Sequence, residues 1–111
     1  MKIIKNNQYP CNTSVTMKYI GGKWKAVILM HLTKEKRYNE LRKEIPSITE
    51  RTLSLQLKEL ETDGLIVRTV HTNKAPLKVS YHLTDFGKSL EPVLKVIEQW
   101  GAMAVNRTLC L

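Results

Sequence analysis

The chain has 111 residues, enough for one ordinary domain and too few for two independent cores, which excludes multidomain enzymes and repeat arrays. Its 42% hydrophobic and 25% charged residues are the balance of a folded globular domain, not of a disordered chain. Lys and Arg number 18 against 10 Asp and Glu, a formal net charge of +8 that suits an anionic partner.

Thr13 and Ser14 are good N-cap residues, so a first helix is expected through Val15, Met17, Tyr19 and Ile20, stopped by Gly21-Gly22. A second helix follows from Lys23-Trp24-Lys25 into the apolar run Ala26 to Leu32, which predicts burial on most sides. A third spans about Tyr38 to Ile45, with Leu41 and Ile45 on one face and Pro46 as its end. The most regular helix lies between Ile48 and Gly64. Leu53, Leu57 and Leu60 recur at i, i+4 and i+7 and form one apolar stripe.

After Gly64 the period changes. Leu65, Val67 and Thr69 alternate with Ile66 and Arg68, the segment 72–76 reads as a loop, and Val79, Tyr81 and Leu83 alternate again, so residues 65–83 form a hairpin. Thr84 can cap a last helix carrying Phe86, Leu90, Val93, Leu94, Ile97 and Trp100, with a kink or restart at Pro92.

Two short helices joined by a tight turn, the second followed by a hairpin, is the order of a winged helix-turn-helix. The expected class is therefore α+β: one winged helix-turn-helix domain over residues 1–111, with additional N- and C-terminal helices, the latter, within 84–111, expected to serve dimerisation. The implied partner is a double-stranded DNA operator. The second helix of such a motif enters the major groove, and its outward side here carries Arg51, Thr52, Leu55, Lys58, Glu59 and Thr62, with Thr49 at its entry.

Arg51 has the fork to read guanine, Lys58 suits phosphate, and Leu55 is either a contact for a thymine methyl or a stray exposed leucine. Lys74 at the hairpin tip, with Lys78 beyond it, can follow a phosphate backbone or enter a minor groove. The charge distribution agrees. Residues 14–83 hold thirteen basic against seven acidic side chains, whereas residues 84–111 are neutral. That neutral segment offers Phe86, Val93, Ile97 and Trp100 to a partner chain, although part of the stripe closes its own core.

An enzyme finds little support. Gly21-Gly22-Lys23 lacks the spacing of a phosphate-binding loop, and Trp24 is more simply a core anchor. His31, His71 and His82 have no metal-ligand spacing, although His71 and His82 can approach across the hairpin as polar surface. No catalytic residue, cofactor or metal is expected. The rival is a protein-interaction module, kept open by Glu50, Glu59 and Glu61. No apolar run reaches the ~18 residues of a membrane span, and MKIIKNNQYP lacks the apolar stretch of a secretory signal, so a cytoplasmic location is expected.

Six separated blocks, in order and spacing, resemble the HxlR-type winged-helix transcriptional regulators of the MarR superfamily: Ile20-Gly21-Gly22-Lys23-Trp24-Lys25, Arg37-Tyr38-Asn39-Glu40-Leu41, Ile45-Pro46-Ser47-Ile48-Thr49, Leu57 through Leu65, Val79 through Thr84, and Trp100-Gly101. The similarity covers residues 11–101. It implies a homodimeric DNA-binding regulator whose first and last helices pair the subunits.

The resemblance also implies a role for Cys11, which stands where many family members carry a cysteine, ten residues before Gly21; some of them use it to sense a small electrophile or oxidant. A helix start just beyond it favours the thiolate, and oxidation can then link it to Cys110 of the other subunit or to a small thiol. A partly buried structural cysteine is the competing reading, and a regulator with a small-molecule signal or none is the alternative. Two departures stand out: Pro10 precedes Cys11 where the family has a proline after the cysteine, and Leu77 replaces the second wing proline.

Overall fold

The computed structural model describes residues 9–109. The elements are α1 (Asn12–Ile20), α2 (Lys25–His31), β1 (Lys36–Arg37), α3 (Tyr38–Glu44), α4 (Glu50–Thr62), β2 (Ile66–Val70), β3 (Val79–Leu83), α5 (Asp85–Lys88) and α6 (Glu91–Leu109). The architecture is an α+β winged helix-turn-helix flanked by an N-terminal and a C-terminal helix.

In α4 the spacing of three leucines sets the burial. Leu53, Leu57 and Leu60 are fully buried against Ile28, Leu29 and Leu41, so trimming one to alanine costs about 2–5 kcal/mol. Thr49 caps the helix: its Oγ1 accepts the Thr52 N–H at 3.1 Å. At the far end Gly64 takes the left-handed conformation, φ 77°, which ends the helix and turns the chain into β2.

The turn between α3 and α4 is fixed from both sides. Ile45 and Ile48 are buried in it, and the Tyr38 hydroxyl at the start of α3 donates toward the Glu50 carbonyl at 3.4 Å and lies 3.1 Å from Ser54 Oγ. Arg42 adds an ion pair to Glu50 at 3.4 Å. The angle at which α4 is presented is thus set by α3.

β2 and β3 pair antiparallel from Ile66↔Leu83 to Val70↔Val79, and β1 adds to the other edge of β3 with Lys36 opposite Tyr81, giving the order β1-β3-β2. The two-residue β1 is absent from the sequence expectation because a strand that short leaves no alternation. Alternation in the hairpin puts Ile66, Tyr81 and Leu83 into the core and turns Val67 and His82 away.

One expectation needs correction: the first helix starts at Asn12 with Cys11 as its N-cap, not at Thr13/Ser14. The last helical segment restarts at Pro92 as expected, a single turn, α5, capped by Thr84, and then the long α6. Pro92 sits in the first turn of α6, where its missing N–H has no intrahelical partner to lose. Thr84 Oγ1 accepts the Gly87 N–H at 3.0 Å and donates to the Gly64 carbonyl at 2.6 Å. A Cβ on Gly87 would collide with the Leu65 carbonyl, so only glycine lets α5 lie this close to the start of β2.

Candidate nucleic-acid interface

α4 and the hairpin each carry exposed cations. Arg51 and Lys58 are exposed on α4, and neither has an ion-pair partner among the described residues. Thr52 is half-buried and bound to Thr49, whose hydroxyl donates to Thr52 Oγ1 at 2.8 Å; these two threonines are first of all the cap of the helix. Leu55 is 54% exposed and lies in a shallow depression with Lys18, Lys25, Lys58 and Thr62.

Three acidic side chains in and just after α4 meet cations from three other helices, while Glu61 forms no ion pair among the described residues. Lys25 of α2 meets Glu59 at 3.1 Å, Lys18 of α1 meets Asp63 at 3.5 Å, and Arg42 of α3 meets Glu50 at 3.4 Å. Two of the three glutamates that favoured a protein-interaction module are therefore neutralised in place.

The hairpin loop is ordered by Thr72, whose hydroxyl donates toward the Lys74 carbonyl at 3.1 Å and accepts the Lys78 N–H at 3.4 Å. The loop contains a cis Ala75-Pro76 bond, and Lys74 and Lys78 are both exposed on it. Behind the hairpin, His71 and His82 face Glu35 at 3.8 and 3.9 Å, and buried Ser80 donates to that carboxylate at 2.9 Å. Among the described residues no group of three or more His, Cys, Asp or Glu is placed to hold a metal ion.

Cys11 is exposed in the single chain. Its Sγ lies 3.6 Å from Ser14 Oγ. The N–H of Ser14, then its hydroxyl and the Thr13 N–H, hold the thiol below its ordinary range at the first turn of α1. Cys110 lies outside the described residues.

The last helix divides its apolar residues. Leu94 is fully buried and Leu90 packs on the core, whereas Phe86, Val93, Ile97 and Trp100 are exposed, Trp100 at 65%. Val96, Met103 and Val105 extend that exposed set and went unnoticed in the sequence, where their spacing had no observed partner face to refer to. The pairing of Lys25 with Glu59, and the arginines Arg37 and Arg68 beside the hairpin, were also missed, since each depends on contacts between distant segments.

The HxlR-like helix-turn-helix family model matches residues 19–108. The chain belongs to that family. The HTH-type transcriptional regulator YtcD of Bacillus subtilis (strain 168) is 46% identical over 105 residues, covering 94% of this chain and 82% of its own. YdeP of the same organism is 51% identical over 98 residues, covering 87% and 76%.

Among solved structures, the redox regulator HypR in its reduced form superposes with a TM-score of 0.82 at 41% identity, over 91% of this chain and 100% of that one. HypR in its oxidised form gives 0.77 at 46% identity, over 84% and 96%. The protein is thus a helix-turn-helix transcriptional regulator, and its family and relatives are regulators, not enzymes. No helix among the described residues is long and apolar enough to cross a membrane.

Proposed function

We propose that the chain is a cytoplasmic, homodimeric, sequence-specific DNA-binding regulator that responds to thiol oxidants or electrophiles through Cys11. One domain carries both tasks, with residues 84–111 serving the dimer. α4 enters the major groove: Arg51 reads a base edge, Lys58 meets phosphate, Thr49 and Thr52 hold the helix start beside the backbone, and Leu55 faces a thymine methyl. The hairpin lays Lys74 and Lys78 along the flanking phosphates.

The observation that carries this reading is the state of α4. Its free charges are Arg51, Lys58 and Glu61, while its other carboxylates are paired with cations of the same molecule. A surface prepared in this way suits a polyanion better than a basic protein.

For the dimer, support comes from the row Val93, Val96, Ile97, Trp100 and Met103, more exposed apolar area on one helix than a small monomer usually shows. For the oxidant response, it comes from the exposed thiol with donors around it, and from the likeness to HypR, a redox regulator. Oxidant converts the Cys11 thiolate to the sulfenic acid, which condenses with a thiol to a disulfide and releases water. The change at the N-terminus of α1 then alters how the two reading helices are set.

The test is fluorescence anisotropy with the DNA upstream of the protein's own gene, reduced and after a mild thiol oxidant, beside Cys11→Ser. Tight, salt-sensitive binding that oxidant changes only when Cys11 is present supports the whole reading. Binding indifferent to oxidant leaves the DNA-binding dimer and removes the thiol response. Absence of DNA binding moves the protein-interaction module forward.

A further inference from the structure

Between the hairpin and the start of α3 lies an open cleft of about 430 Å³, lined by Arg37, Asn39, Arg68, Lys78 and Tyr81 among others. Its three cations come from three places in the chain. Arg37 ends β1, Arg68 lies on β2, and Lys78 leads into β3, so the cleft exists only because β3 pairs with both other strands. Among the described residues no carboxylate lines it.

Two nearby acids are engaged: Glu40 accepts the Arg37 backbone N–H at 2.8 Å, and Glu44 is taken by Lys36 at 2.9 Å and His31 at 2.8 Å. Glu61 of α4 acts on Tyr81 from outside the lining. Arg37, Arg68 and Lys78 form no ion pair among the described residues. Three cations that line one cleft and form no ion pair among the described residues leave it electropositive, which favours an anion there.

We propose that this cleft binds a phosphoryl group. Two guanidinium forks match tetrahedral oxygens, Lys78 adds a point charge, and the Asn39 amide adds neutral donors. The cross-strand neighbour of Arg68 is Tyr81, a buried residue that also lines the cleft. The phosphoryl group comes either from the backbone of duplex DNA or from a small free phosphate; the first source rests on the function proposed above, whereas the site itself does not.

Two measurements separate these. The first is the salt dependence of binding to a duplex for the unaltered protein and for Arg37→Gln, Arg68→Gln and Lys78→Gln, with Arg68→Lys to keep the charge and circular dichroism to check folding. The second follows the backbone amides of residues 37–39 and 77–79 by NMR while inorganic phosphate replaces chloride at constant ionic strength.

The expected result is that each glutamine variant lowers the slope of log K against log salt by about one unit, that Arg68→Lys keeps the slope, and that phosphate shifts those amides. Shifts with unchanged slopes support the site and assign it to a small phosphate. Changed slopes without shifts support it and assign it to DNA. Shifts in a protein that binds no duplex support the site and sink the DNA reading. Tight duplex binding with unchanged slopes and no shifts overturns the cleft and leaves the DNA reading intact.

Discussion

Lys25 of α2 and Glu59 of α4 meet at 3.1 Å, so a helix packed against α4 supplies a cation to one of its carboxylates. The Lys25 side chain is only 16% exposed, and its stem is packed where its head can hardly choose another partner.

Removing Lys25 should therefore do more than delete one positive charge. Lys25→Met leaves Glu59 bare on the groove side and should weaken DNA binding on every sequence by roughly tenfold at low salt, where one phosphate contact counts most. Lys25→Met with Glu59→Gln should recover most of that loss. If the double variant binds as poorly as the single one in anisotropy titrations, the pair does not act through charge.

Arg51 and Lys74 should fail in different ways. Arg51→Ala should relax the preference for operator over random duplex by ~1–3 kcal/mol, with little change on random sequence. Lys74→Ala should weaken both equally and flatten the salt slope by about one unit. Equal losses on both duplexes for Arg51→Ala would take away its base-reading role, and an unchanged slope for Lys74→Ala would remove the hairpin tip from the contacts.

Trp100, 65% exposed in the single chain, should be covered in the dimer. Trp100→Asp places a carboxylate in that row and should give monomers by sedimentation at micromolar concentration, with the fold kept because Leu90 and Leu94 still face the core. A variant that remains dimeric would place the subunit contact elsewhere.

The Cys11 thiol is held down mainly by the Ser14 N–H and then by the Ser14 hydroxyl. An acid whose folded value is lowered is ionised at lower pH in the native protein than in the unfolded one. The pH profile of alkylation should therefore have its midpoint below that of the urea-unfolded chain. Ser14→Ala should move the native midpoint upward and slow alkylation at neutral pH severalfold, while thermal stability changes little. A profile identical in native and unfolded protein would show that α1 does not activate the thiol.

Much of the fold was legible because its signals are local. The stripe Leu53, Leu57 and Leu60, the caps Thr49 and Thr84, and the alternation of Val79, Tyr81 and Leu83 each lie within a few residues, and each appears in the structure where the pattern puts it. The start of α1 was misplaced because Thr13 and Ser14 are better caps by residue type, although the chain uses the thiol-bearing residue before them. Of the candidate interface, the cations of α4 and the loop could be picked out by periodicity alone. Arg37 and Arg68 could not, since they are neighbours only through β3.

The hydroxyl of Thr84 is the point where these parts join. It starts α5 by accepting from Gly87 and at the same time grips the Gly64 carbonyl, the last turn of the chain before β2. The Thr84 N–H adds a bond to the Leu65 carbonyl at 3.1 Å, and Gly87 leaves no slack between the two segments. The arm formed by α5 and α6 is thus pinned at its root to the exit of α4. One hydroxyl ties the root of the C-terminal arm to the turn that closes α4, so the two segments share a single anchor.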